Sequence, residues 1–260
     1  MHVLLPPSEA KRPGGRGRPL AARARTHPLA SARGRVIAAL MELLETEEAA
    51  AALLLPPSAV AEALSDNASA LSSPTMPAIE RYCGVVYEGL DVASLTPRAR
   101  RLANQSVLVF SGLFGVLRGG DPTPRYRVPG KATLPGIGVA TAYWRRELDA
   151  IVPKMLGRGL IVDLRSSDYA AMWNPAPGSA AAGRLVKVRV LSVKPDGSRG
   201  VVSYPSKLAK GRLTAALLEQ GAAGAGARTA EDIAEAWTSL GGHHAECRPG
   251  KLGVALDLFD

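Results

Sequence analysis

Apolar residues lie along the chain in short runs that proline and glycine close off. Val3–Leu5, ended by Pro6-Pro7, predicts a buried strand entering a loop, and segment 11–19, KRPGGRGRP, is punctuated too densely for regular structure. Helical spacing follows at about 31–45, 47–54 and 58–71, the last opened by Ser58 after Pro57, and again at about 78–90, AIERYCGVVYEGL. Thr96-Pro97, a capping residue followed by proline at the first helical position, starts a further helix. Val107–Phe110 predicts the next strand, running into Ser111-Gly112.

The second half begins irregularly, because RGGDPTPRYRVPGKATLPG holds four prolines and four glycines among short strand-like pieces. A helix near 140–156 leads to Gly157–Gly159 and the strand LIVD at 160–163, followed by the helix-like DYAAMW. Leu185–Val193 alternates with basic residues, PDGS turns, and Gly200–Tyr204 returns, the pattern of a β-hairpin. Of two closing helices, one starts near Pro205. The other opens at Thr229 with Glu231 and Asp232 in a capping-box pattern. A strand at about 252–259 ends the chain. These elements intermix without βαβ regularity and without repeats. They predict one α+β domain over 1–260, with a mixed β-sheet flanked by helices and a helical lobe at about 31–105.

Composition narrows the classes. Of 260 residues 47% are hydrophobic and 21% charged, which suits a folded chain and excludes a disordered one. The longest apolar stretch, Ala49–Leu55, is far below the roughly 20 residues of a membrane helix. MHVLLPPSEAK lacks the features of a signal peptide, so a soluble cytoplasmic protein with no membrane partner is expected. Cys83 and Cys247 are expected to be reduced thiols.

Charge is segregated. Residues 1–35 carry eight Lys/Arg and one acid, and 36–80 carry seven acids and no base. Residues 81–212 hold 21 basic residues against eight acids, and the net charge of the chain is +9. A basic cleft facing an acidic helical lobe is expected, with nucleic acid or nucleotides as partners. The competing reading is a coding bias toward Arg and Ala that raises the charge without any ligand.

No phosphate-binding P-loop, dinucleotide fingerprint, zinc-protease motif or nucleophile elbow occurs. His2, His27 and His243-His244 lack partners at ligand spacing, so neither a metal nor a cofactor is expected. Four strand-to-loop junctions hold the candidate chemistry. In PPSEAK, Ser8, Glu9 and Lys11 follow the first strand; the competing reading is a polar turn with solvated charges. In FSGLFGVLRGGDPTPRYR, Ser111 exposes backbone N–H groups, and Arg118, Asp121, Tyr126 and Arg127 cluster in a proline-stiffened loop. That cluster suits an anion, or equally an internal Arg–Asp staple. In VDLRSSDY, Asp163 ends a strand while Arg165, Ser166, Ser167 and Asp168 line the turn toward Tyr169. In SYPSKLAKG, Lys207 and Lys210 share one helical face.

Together these junctions resemble the YaaA family of peroxide-stress proteins. The resemblance is carried by Ser8-x-x-Lys11, TMPAIERYCGVVYEGL, FSGLFGVLRGGDPTPRYR, Tyr143-Trp144, VDLRSSDY, and Ser203 with Lys207 and Lys210-Gly211, from residue 1 to about 240 in the family's order. The PPSE opening resembles the actinobacterial branch, from which Ala10 departs where Thr is usual. The resemblance implies a compact α+β domain with a positively charged cleft, a helix-hairpin-helix-like element and affinity for duplex DNA. It also implies a role in surviving peroxide by limiting free iron and DNA damage. The helix-hairpin-helix element would fall within about 58–90, around NASALSSPTMPAIERY. That region is acidic until Arg81, so segments 1–35 and 81–212 are expected to carry the charge for binding.

Two readings of function stay open at this level, with a scaffold or iron-handling partner as a third. The first is a stress protein binding DNA or another phosphate-bearing ligand through Ser8, Lys11, Ser111, Arg118, Asp121, Tyr126, Arg127, Arg165, Ser166, Tyr169, Lys207 and Lys210. The second is an enzyme acting on a nucleotide or nucleobase, with Glu9, Lys11 and Asp163 as catalytic groups. Convergence of Lys11, Arg127, Arg165, Lys207 and Lys210 on one cleft would require a counter-charge, supplied partly by Glu9 and Asp163 and otherwise by bound phosphate.

Overall fold

A computed structural model describes residues 1–22, 27–193, 199–242 and 244–259. Val3, Leu4 and Leu5 are fully buried because their strand, β1 (His2–Leu5), lies inside the main sheet with a parallel neighbour on each side. Those neighbours are β2 (Val107–Ser111) and β4 (Ile161–Asp163), with β3 (Gly115–Arg118) beyond β2. On the other flank lie β5 (Leu185–Val193), β8 (Val254–Phe259) and finally β7 (His244–Pro249). The two-residue strand β6 (Arg199–Gly200) pairs with the end of β5. From β2 through β8 the pairs are parallel, and β3 and β7 close the edges antiparallel. The α+β class with a mixed sheet is thus as expected. The uninterrupted apolar runs of β1 and β2 reflect burial on both faces.

Helices cover the sheet. They are α1 (Ala30–Leu44), α2 (Val60–Ala68), α3 (Val85–Leu90), α4 (Pro97–Ser106), α5 (Ala140–Leu148), α6 (Ser203–Ala222) and α7 (Ala230–Ser239). Thr96 caps α4 by accepting from the Ala99 amide, and Thr229 and Asp232 form the capping box of α7, as their sequences predict. Helices α3 and α6 meet backbone to backbone: a Cβ on Gly211 would lie 2.0 Å from the Val86 carbonyl oxygen, and one on Gly89 2.2 Å from that of Leu208. Among the described residues no helix is long and apolar enough to cross a membrane.

The structure corrects several boundaries. The 78–90 segment is not one helix. One turn, Ala78–Arg81, ends where Tyr82 becomes extended, and α3 begins only after Gly84. The intervening backbone pairs instead with the N-terminal loop, the Arg12 amide donating to the Arg81 carbonyl and the Cys83 amide to that of Ala10. Within 58–90, where the helix-hairpin-helix element is expected, the helices are α2 and the six-residue α3, separated by 69–84 with only the turn Ala78–Arg81 between them. The 47–54 helix shrinks to Ala49–Ala52, and 58–71 to α2 behind a short 3-10 turn. The 140–156 helix splits into α5 and Val152–Leu156, and DYAAMW forms one turn, Ser167–Ala170, before Met172 and Trp173 enter the core. The hairpin return stops at Gly200 because α6 takes over at Ser203, and the PDGS turn lies outside the described residues. His244 opens β7, a strand its sequence does not announce, while His243 lies outside the described residues.

Candidate functional site

The C-terminal ends of β1, β2 and β4 deliver three of the four junctions to one edge of the sheet. Lys11 is reached from β1 through Pro6-Pro7, and its backbone bridges antiparallel to Tyr82. Its Nζ donates to the carbonyls of Ser8 (2.9 Å) and Glu9 (3.3 Å) and sits 4.3 Å from the Tyr126 ring centroid and 5.4 Å from that of Tyr82. Among the described residues no carboxylate approaches Nζ to ion-pair distance. Burial pulls this ammonium down to about 7, and Arg127 adds to the fall, whereas Glu9, Asp66 and Cys83 oppose it. Ser8 packs against Gly84, where a Cβ would come within 2.2 Å of its Oγ.

Beneath Lys11 runs a chain of buried hydroxyls. Tyr126 Oη lies 2.6 Å from both Tyr82 Oη and Ser111 Oγ, and Ser111 Oγ also accepts from the Phe114 amide. Burial raises the Tyr82 and Tyr126 phenols far above their usual range, so both stay protonated. Tyr87, sharing this region, donates to the Pro6 carbonyl.

Above Lys11 opens a pocket of about 260 Å³, lined by Glu9, Lys11, Glu62, Asp66, Arg125 and Arg127 among others. Arg127 Nε lies 3.1 Å from Glu9, and Arg125 bridges Glu62 and Asp66. The buried side chain of Asn67 holds the Arg127 backbone from both sides, accepting from its amide at 2.7 Å and donating to its carbonyl at 3.0 Å. The Nε atoms of Arg125 and Arg127 are themselves buried without an aligned hydrogen-bond acceptor, the Arg127–Glu9 contact being a charge contact only. Burial, reinforced by Glu62, raises the Asp66 carboxyl in spite of Arg125.

Beside this pocket, Arg165 is committed to Asp163 in a sealed ion pair and stacks 4.2 Å from the Phe110 ring centroid. Lys210 donates to the Leu164 carbonyl at 3.1 Å; burial lowers its ammonium, opposed by Asp163, with Lys187 and Lys207 adding to the fall. Lys207 is exposed on the preceding turn of α6. Tyr169 Oη accepts from the Gly130 amide, and burial followed by Glu9 pushes it up to about 12. Ser166 occupies the N-cap of Ser167–Ala170 without a side-chain cap bond. Lys11, Arg127, Glu9 and Tyr126 therefore form one group, and Arg165, Asp163 and Lys210 a second, along the same edge.

Arg118 and Asp121 lie at the other end of the β2–β3 pair. Arg118 donates to the carbonyls of Gln105 and Met155, while Asp121 accepts the Arg118 amide, so both staple a loop. Sequence reasoning missed Tyr82, Asp66, Glu62 and Arg125. Reading 78–90 as one helix hid Tyr82; Arg125 could have been found from its alternation with Arg127 around Tyr126. Among the described residues no group of three or more His, Cys, Asp or Glu is gathered to hold a metal, and both cysteines are free.

Fold and site define a class: an α+β protein with a parallel sheet centre and a small charged pocket at its C-terminal edge. The chain belongs to the YaaA family, whose model, described as peroxide stress protein YaaA, matches residues 1–239. It is similar to a UPF0246 protein of Streptomyces coelicolor, 41% identical over 260 residues, covering 99% of this chain and 97% of the relative. A UPF0246 protein of Corynebacterium efficiens is 39% identical over 225 residues, covering 84% of each chain. Another, from Corynebacterium glutamicum, is 37% identical over 243 residues and covers 90% of each.

Proposed function

We propose that this chain binds a phosphate-bearing ligand in the Lys11 pocket. The observation that carries the reading is the pair Arg125 and Arg127 in the pocket lining, whose buried Nε atoms have no aligned hydrogen-bond acceptor, Arg127 Nε meeting Glu9 only in a 3.1 Å charge contact. A buried donor without a partner costs about 1–3 kcal/mol, and phosphate oxygens arriving in the pocket would satisfy both. Lys11 adds a third donor on the same wall. A cavity of about 260 Å³, a little below the usual size of small-molecule sites, suits a phosphate with a small group attached.

Duplex DNA is the second reading, and Arg12 and Arg16, exposed on the loop that leaves Lys11, favour it. A duplex would lie across the mouth of the pocket rather than inside it. In that form the protein would serve the peroxide-stress role by shielding DNA from oxidative damage.

Thermal-shift measurements with nucleoside mono- and triphosphates test the first reading. Saturation near 100 times Kd is expected to stabilise the chain by about 2.7 kcal/mol. Fluorescence polarisation with duplex DNA tests the second, with a log–log salt slope of about −0.9 per phosphate contacted. No response in either assay would sink the proposal.

A further inference from the structure

Lys11 is held in a way that a purely phosphate-gripping lysine does not need. Such a lysine works as a full positive charge among other cations. Lys11 instead lies on the faces of two tyrosines, donates only to two backbone carbonyls, and meets no carboxylate, yet it opens into the pocket. The ring faces and carbonyls favour the ammonium, but burial without a carboxylate partner outweighs them, and an amine desolvated at a pocket is the arrangement of a nucleophilic lysine.

We infer that Lys11 forms an imine with the aldehyde carbon of a phosphorylated pentose, whose phosphate is received by Arg125 and Arg127. The inference rests on the phosphate-binding reading above and adds the substrate class and the bond that forms. The neutral Nζ attacks the carbonyl carbon, a C–N bond forms, and the C=O π pair moves to oxygen. One Nζ proton passes to that oxygen, giving a carbinolamine. The nitrogen lone pair then expels the hydroxyl, which takes a proton from solvent at the pocket mouth and departs as water, leaving a protonated imine whose charge faces the carboxylate of Asp66. Charged groups around Lys11 are Glu9 on its own loop, Asp66 on α2, and Arg127 on the 120s loop; the Cys83 thiol and the Tyr82 and Tyr126 phenols complete its surroundings. The hydroxyl chain fixes the rings beneath the amine and takes no part in the proton transfers.

The sugar aldehyde could come from a free pentose phosphate or from an abasic site in DNA. The full chain is incubated with ribose 5-phosphate, or with a duplex carrying one abasic site, in the presence of sodium cyanoborohydride, and mapped by peptide mass spectrometry. The expected result is an adduct on Lys11 equal to the sugar phosphate less one oxygen, formed about tenfold faster at pH 8 than at pH 6 as an amine titrating near 7 requires. Which arm gives the adduct identifies the source. The variant Lys11→Arg is expected to lose it, and Lys154→Arg, an exposed lysine outside the pocket lining, to keep it. Adducts confined to exposed Lys131, Lys154 and Lys207 would overturn the inference. So would the absence of adduct while ribose 5-phosphate still raises the Tm, an outcome that leaves phosphate binding standing. With neither adduct nor shift, both readings fail.

Discussion

The guanidinium of Arg165 clasps the carboxylate of Asp163, two residues before it, through Nε–Oδ1 and Nη2–Oδ2 bonds of 2.8 and 2.9 Å, with both side chains sealed from solvent. The Arg165 amide adds a third bond to the same carboxylate. Removing either partner alone strands a buried charge. Arg165→Met or Asp163→Leu is therefore expected to cost about 3–5 kcal/mol in urea unfolding, and the double replacement less than the sum.

Acid stability follows from the same pair. Burial pushes the Asp163 carboxyl up, but Arg165 and its hydrogen bonds prevail and hold it below the ordinary 3.8. The folded chain thus binds this proton less readily than the unfolded one. The resulting stability is complete above the unfolded value and drains away as pH falls through the lower folded value. Urea midpoints measured from pH 6 downward are expected to fall below about pH 4 in the parent chain. A midpoint independent of pH in that range would contradict the assignment.

Lys11 gives a dependence of the same sign in a higher pH window. Its ammonium is lowered from 10.5 to about 7, so between those values the unfolded chain holds a proton that the folded chain has shed. Stability from this group rises with pH across that window, with a limiting slope of about 1.4 kcal/mol per pH unit. Lys11→Met is expected to flatten the profile between pH 7 and 10 and to raise the Tm at neutral pH, read by calorimetry.

Gly211 tests the α3–α6 contact. In an exposed helix, glycine to alanine stabilises by about 1 kcal/mol. Here the added Cβ would lie 2.0 Å from the Val86 carbonyl oxygen and 2.6 Å from the Leu90 amide. Gly211→Ala is expected to destabilise by about 1–3 kcal/mol, lowering the Tm by several degrees. Gly183→Ala, where a Cβ meets nothing within 4 Å, is the control.

Arg81 tests the N-terminal loop. It is fully buried, without a carboxylate at ion-pair distance among the described residues, and it donates to the carbonyls of Arg12, Gly14, Pro74 and Thr123. Arg81→Ala leaves those acceptors bare and releases the loop. Limited trypsin digestion is expected to cut after Arg16 about tenfold faster or more. An unchanged rate would show that the loop is held by something else.

What could be read from the sequence was whatever local chemistry decides. Thr96-Pro97 and Thr229 with Asp232 announce helix starts because capping acts within one turn, and the runs at 107–110 and 160–163 announce strands because both of their faces are covered. Tyr82 and Cys83 were misread because a distant partner, the loop at 10–12, offers their backbone a better set of bonds than the helix would. Strand β7 escapes the sequence pattern because Cys247–Pro249 are exposed and show little apolar alternation; β8 recruits them by antiparallel pairing. Lys11, Glu9 and Arg127 stand in the sequence only within a larger set with Arg165, Asp163, Lys207 and Lys210, which the structure divides into two groups. The separation of Arg118 and Asp121 from that set depends on which end of β3 they occupy, and spacing along the chain carries no such information.

The placement of β1 also dictates how a growing polypeptide must be handled. His2–Leu5 is made early, yet its two sheet neighbours begin at Val107 and Ile161. At typical rates of synthesis roughly 10–30 s separate the emergence of the strand from that of its second neighbour. During that interval three large aliphatic side chains have no sheet to enter. Assembly therefore runs against the order of translation, and a strand made long before its neighbours is among the last to be buried. Chaperone demand should accordingly concentrate on the nascent chain rather than on the finished protein.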